Sequence, residues 1–248
     1  MKKIVFVLIA VITVVSCKEK TIKSEIKDNK YPESLSKMFE KHGGLEEWNA
    51  LKQLSFNKGN EMHIVDLNSR KSLITTEDYS LGFDGAASWL QQKDSMSFKG
   101  NKDFYYNLFF YFYAMPFVLA DNGIVYEKSR PLVFEGITYP GIKISYKANI
   151  GSSPDDTYYI YYNSESYQME WLQYSVTFFS KKASSKLNTI RYNDWIDVDG
   201  FLLPNSLTWY KKDEHGVILE PARSATIFTN QKVSTKKLDE KIFYKPKE

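Results

Sequence analysis

The sequence predicts a mainly β protein, an antiparallel meander of short strands behind two helical pieces, and three observations carry that prediction. From Leu54 onward, β-branched and aromatic residues come in short runs broken by turn residues. Asp84-Gly85, Asn122-Gly123, Asp199-Gly200 and His215-Gly216 mark sharp reversals, the first three with hairpin-turn composition. The 248 residues, 43% apolar and 16% aromatic, suit one undivided all-β domain of ordinary size. That apolar fraction excludes a disordered chain, and the single cysteine excludes a disulfide scaffold or a multi-cysteine metal site. Seven of the 33 basic residues lie in the first 30 positions against three acidic ones, which leaves the rest of the chain at a net charge of −1. A near-neutral body offers no footprint for nucleic acid.

At the amino terminus, Met1-Lys2-Lys3 is a short positive region followed by twelve uncharged residues, Ile4–Val15. As a helix rising ~1.5 Å per residue this run is too short for a ~30 Å hydrocarbon layer, so it reads as a signal peptide over 1–16. Val14-Val15-Ser16-Cys17 then resembles a bacterial lipobox. The resemblance implies diacylglyceration of Cys17, cleavage after Ser16, and a lipid-anchored protein of the bacterial envelope, at the outer membrane. An ordinary signal peptide with a chance cysteine is the alternative. Residues 17–30 are charged and polar, and read as a flexible tether whose lysines either stay solvated or brush anionic head groups. Residues 31–248 are expected to form a single β domain.

Pro32 suits a first helical turn, and Leu35, Met38, Phe39 and His42 then recur at helical spacing until Gly43-Gly44 stops the helix. Leu45, Trp48 and Leu51 mark a second, shorter helical piece. Strands follow at Leu54–Asn60, Met62–Leu67, Arg70–Thr76 and Ser88–Gln92. Others are predicted at Ile124–Lys128, Leu132–Ile137, Gly141–Lys147, Thr157–Tyr162 and Gln168–Phe179. The last are Leu187–Trp195, Phe201–Lys211 and Val217–Thr229. One segment interrupts them. Asn101 or Asp103 caps a helix over residues 104–115, eight of whose first ten are aromatic, and Pro116 ends it. A helix apolar on every side must be enclosed. It is a core helix, a lid over an apolar cavity, or a piece inserted in a membrane.

The motifs are scattered but ordered. His42-Gly43-Gly44 with Trp48, Phe83-Asp84-Gly85 before Trp89, Tyr192-Asn193-Asp194-Trp195 before Val198-Asp199-Gly200-Phe201-Leu202-Leu203-Pro204, and Leu238-Asp239 before Phe243 span nearly the whole mature chain. In this order they resemble lipoproteins of the superfamily of the periplasmic lipoprotein carrier (LolA/LolB-like), in a branch without assigned activity. The resemblance implies an incomplete, strongly curved antiparallel β-barrel, closed at one mouth by an N-terminal helix and the aromatic helix. Carriers of that superfamily hold acyl chains in the cavity. The cavity residues expected here are Trp89, Phe104, Leu108, Tyr111, Phe112, Met115, Trp171 and Trp195, with His42, Gly43, Gly44 and Trp48 as structural motif residues. An acylated Cys17 would fix this chain to a membrane, unlike the soluble carrier.

Catalytic signatures are lacking: the sequence has no G-x-S-x-G, H-E-x-x-H, phosphate loop or dinucleotide fingerprint. His42 reads as a structural residue, His63 as a strand-face residue and His215 as a solvated turn residue. Asp197-Val198-Asp199-Gly200 imitates the start of a calcium loop, but a hairpin accounts for it better. No metal, cofactor or catalytic residue is therefore expected, although carboxylates that pair only in space remain open. The expected partner is a lipid or acyl chain, with the membrane met through Cys17. The alternative is a glycan or peptide binder stacking sugars on an outward row of Trp89, Trp171, Trp195 and Trp209, or a hydrolase.

Overall fold

The computed structural model describes residues 30–147 and 155–247, so the expected signal peptide, Cys17 and the tether up to residue 29 lie outside the described residues. From Tyr31 onward the chain is one compact unit. Helix α1 (Glu33–Lys41) buries Leu35, Met38 and Phe39, the stripe set by their spacing. Helix α2 (Leu45–Ala50) buries Trp48. Strands β1 (Gln53–Lys58), β2 (Glu61–Asp66), β3 (Ser72–Thr75), β4 (Tyr79–Phe83) and β5 (Ser88–Gln92) form a consecutive meander. Helices α3 (Lys102–Tyr105) and α4 (Leu108–Tyr113) and a 3₁₀ turn (Phe117–Ala120) then cross to the second half.

That half comprises β6 (Ile124–Lys128), β7 (Leu132–Phe134), β8 (Ile137–Tyr139), β9 (Gly141–Tyr146), β10 (Tyr158–Tyr162), β11 (Met169–Tyr174), β12 (Asn188–Val198), β13 (Phe201–Lys212), β14 (Ile218–Pro221) and β15 (Thr226–Ser234), with a closing 3₁₀ turn (Glu240–Phe243). All pairings are antiparallel, and thirteen strands make one sheet in the order β5-β4-β3-β2-β1-β15-β13-β12-β11-β10-β9-β6, with β14 beside β13. The end strands β5 and β6 do not pair with each other, so the sheet is an incomplete, curved barrel. Its curvature brings both halves onto α4. Tyr113 stacks on Phe56 of β1 with ring centroids 4.2 Å apart and meets Phe228 of β15 at 4.9 Å. Phe112 meets Tyr174 of β11 at 5.1 Å and Trp209 of β13 at 5.9 Å.

Five expectations about elements need correction, one being that the strand expected over Gln168–Phe179 ends at Tyr174. The helix expected over 104–115 is two short helices: Asn101 caps α3, and Asn107, at φ −124° and ψ 1°, breaks the chain before α4. A run aromatic on all sides carries no periodicity to say where a turn ends. Strand β4 was not expected, because Ser80 and Gly82 dilute its β-forming residues. Residues 132–137 are not one strand. Glu135 and Gly136, at φ 49° and 78°, turn the chain into the β7–β8 hairpin, which forms a separate two-stranded sheet. Residues 217–229 likewise divide into β14 and β15. Asp199-Gly200, at φ 52° and 89°, makes the tight β12–β13 hairpin its composition predicts.

Candidate functional site: an aromatic cavity beneath the broken helix

The ordered motifs meet in space as two clamps. His42 ends α1 with no exposed surface. Its Nδ1 lies 3.0 Å from the Leu202 carbonyl, and its Nε2 lies 3.1 Å from the Met169 backbone N–H, so Nδ1–H donates and Nε2 accepts. Burial lowers its pKa to about 4, although the Leu202 hydrogen bond opposes the shift, and the ring is neutral at pH 7. A Cβ on Gly43 would stand 2.6 Å from the Gly200 carbonyl oxygen, so this contact takes only glycine. Trp48 stacks on Phe117 at 4.3 Å and meets the edge of Phe201 at 5.6 Å. These contacts fix both N-terminal helices to the β12–β13 hairpin. In the second clamp the Trp89 indole N–H donates to the Phe243 carbonyl at 2.7 Å, while Asp239 caps the 3₁₀ turn that carries Phe243.

Beneath α3 and α4 lies a cavity of about 230 Å³. Five of the eight expected residues line it: Phe104, Leu108, Tyr111, Phe112 and Met115. The facing wall is Tyr146, Tyr158 and Tyr174 from β9, β10 and β11, with Val176 and Phe178 beyond. These tyrosines share the inner face with buried Ile144 and Ile160, two positions away in their strands. Tyrosine phenols are neutral at pH 7 in any case, and burial raises the pKa of Tyr111, Tyr146, Tyr158 and Tyr174 further. Asp156 at the edge accepts the Thr177 backbone N–H at 2.7 Å, and burial raises its carboxyl pKa. Asp103, on the opposite edge, is paired with Lys102 at 2.8 Å. The site thus offers apolar and aromatic walls with neutral hydroxyls. A larger cleft of about 540 Å³ beside β6 is walled by Pro32, Pro131, Pro140, Gly141 and charged Glu127 and Lys128, and contains none of the expected residues.

The three tryptophans lie elsewhere. Trp89 is in the second clamp. Trp171 is fully buried on the other face of the sheet, under the β7–β8 hairpin, with Phe134 at 4.9 Å and Tyr210 at 5.2 Å. Neighbours in a strand point to opposite faces, and Leu172 takes the inner one. Trp195 packs edge-on to His42 at 4.4 Å and donates its N–H to the Tyr192 carbonyl. Among the described residues Trp89 and Trp171 are buried and Arg223 covers the Trp209 ring at 4.0 Å, so these tryptophans form no outward row.

A second polar centre escaped the sequence reading. Glu61 is buried, and its carboxylate receives the Tyr79 hydroxyl at 2.8 Å, the Tyr105 hydroxyl at 2.9 Å and His63 Nε2 at 2.9 Å, with Lys58 Nζ at 3.1 Å. Burial alone would raise its pKa. The His63 hydrogen bond, the Lys58 charge and the Tyr79 hydroxyl overcome that and bring it to about 2. His63 is itself lowered by burial and stacks on Phe56 at 4.8 Å. Through Tyr105 this centre holds α3 to β2.

An open antiparallel sheet wrapped round an aromatic segment, with a cavity between them, defines a half-barrel scaffold. The chain belongs to the DUF6503 family, a family of unknown function, whose model matches residues 87–223. It is similar in structure to a LolA superfamily protein from Nitrosomonas europaea, with 10% identity over 78% of this chain and 87% of that one and a TM-score of 0.38. It is also similar to a DUF1329 family protein from Desulfovibrio piger, with 9% identity over 85% of this chain and 95% of that one and a TM-score of 0.48. No curated protein matches the sequence.

Proposed function

We propose that the domain binds a lipid through its acyl chain in the cavity beneath α3 and α4, as part of a bacterial envelope lipoprotein anchored through Cys17 at the outer membrane. The observation that supports this reading is the cavity wall: Leu108, Phe112, Met115 and Val176 with neutral tyrosine hydroxyls. Ligand clefts are mostly apolar with a few placed polar groups. At about 230 Å³ the cavity is smaller than the ~300–1,000 Å³ usual for whole small molecules, so it suits a segment of a chain whose polar end stays outside. The lipobox supports the anchor, and the motif resemblance supports the ligand class.

A hydrophobic fluorescent probe should bind the native protein at micromolar strength and be displaced by fatty acids. Mass spectrometry of organic extracts from the purified protein should show co-purified lipid. Absence of probe binding and of extracted lipid would sink the reading.

A further inference from the structure

We propose that the phenylalanine rim of this cavity, Phe104, Phe178 and Phe179, is a lip that docks on an anionic lipid surface, a reading that rests on the acyl-chain function above. The three rings meet pairwise, with centroids 5.2 Å apart for Phe104 and Phe178, 5.0 Å for Phe104 and Phe179, and 5.1 Å for Phe178 and Phe179. Phe104 and Phe178 line the cavity, whereas Phe179 is 65% exposed. A large ring held in water beside a ligand opening marks an interaction surface rather than a scattered apolar residue.

Charge gives the kind of surface. Lys181, Lys182 and Lys186 follow in the same exposed loop, and no Asp or Glu occurs from Ser175 to Asn193. Among the described residues none of these three lysines makes an ion pair; Lys181 Nζ instead lies 4.3 Å over the Phe178 ring. Of the two carboxylates that line the opening, Asp103, next to Phe104, is paired with Lys102, and Asp156 is buried and accepts the Thr177 backbone N–H. Since residues 31–248 carry a net charge of only −1, the positive loop is a local feature. An aromatic wedge flanked by lysines is the pattern that enters a head-group layer, the ring at the acyl boundary and the ammonium groups on anionic lipids. An acyl chain leaving such a bilayer would reach the cavity along Phe179 and Phe104 without crossing water.

The test uses the full chain reconstituted with vesicles of phosphatidylglycerol and phosphatidylcholine whose acyl chains are brominated. Phe179→Trp should add emission that is blue-shifted and quenched by bromine, and the quenching should be lost with pure phosphatidylcholine or when Lys181, Lys182 and Lys186 become Gln. Val217→Trp, at another exposed apolar position, should add emission that is not quenched. Equal quenching at both positions, none at 179, or quenching indifferent to lipid charge overturns the proposal. Fatty-acid displacement of the cavity probe, measured on the same variants, separates a missing lip from a cavity that binds nothing.

Discussion

Replacing Glu61 by Gln keeps its size and an acceptor oxygen but removes the charge around which Lys58, His63, Tyr79 and Tyr105 are arranged. Its carboxyl lies at about 2 in the folded protein against an ordinary 4.5. At ~1.4 kcal/mol per pKa unit that difference amounts to ~3 kcal/mol of stability, or ~2 kcal/mol once water at the edge of the cluster screens it. For a domain of this size such a loss lowers Tm by about 4–8 °C. The sign of the pH dependence follows from the depressed pKa. The contribution is whole above 4.5 and disappears as pH falls through about 2. Thermal melts of wild type and Glu61→Gln should therefore differ by the full amount at about pH 6 and much less at about pH 3. A variant as stable as wild type at about pH 6, or a gap that does not narrow in acid, would refute the electrostatic account of this centre.

Cys17→Ser should abolish incorporation of a clickable fatty acid, because no other residue supplies the thioether sulfur; equal labelling of mutant and wild type would refute the lipoprotein reading. Residues 31–248 alone should unfold in a single cooperative transition, and limited proteolysis should not release two separately stable fragments. Tyr111→Ala should weaken binding of the fluorescent probe more than it lowers the melting point, since Tyr111 is only partly buried against the core. Phe112→Ala should weaken probe binding too and also cost ~3–5 kcal/mol of stability, because Phe112 both lines the cavity and packs on Tyr174 and Trp209. A melting point lowered as much by Tyr111→Ala as by Phe112→Ala would refute this difference.

Local rules made much of this fold legible. The spacing of Leu35, Met38 and Phe39 places α1, and Asp199-Gly200 places the β12–β13 hairpin. Strand parity would have done more for the cavity. Ile160 and Leu172 cannot share a face with Tyr161 and Trp171, so alternation alone puts Trp171 outside and Tyr158 and Tyr174 inside. The Glu61 centre was not legible in the same way, because Tyr105 and Glu61 lie 44 residues apart and meet only when α3 crosses the sheet. The motif residues His42, Gly43, Trp48 and Trp89 make tight contacts that hold the scaffold rather than line the cavity.

The position of β15 bears on how this protein is completed. The five strands β1–β5 join the rest of the sheet only where β1 pairs with β15, as at Gln53 with Ser234. Among the described residues, β15 follows in sequence every strand it unites and is thus the seam between two half-sheets. Before it arrives, β1 and β13 each leave a long row of backbone donors and acceptors open, the arrangement most prone to mispairing. Joining residues so far apart carries a large loop-closure penalty and makes assembly late and slow. A chain truncated ahead of Thr226 would retain most of its apolar side chains yet lack the strand that unites them. Closure of the core therefore waits on residues 226–234: a chain cut before them cannot unite its two half-sheets.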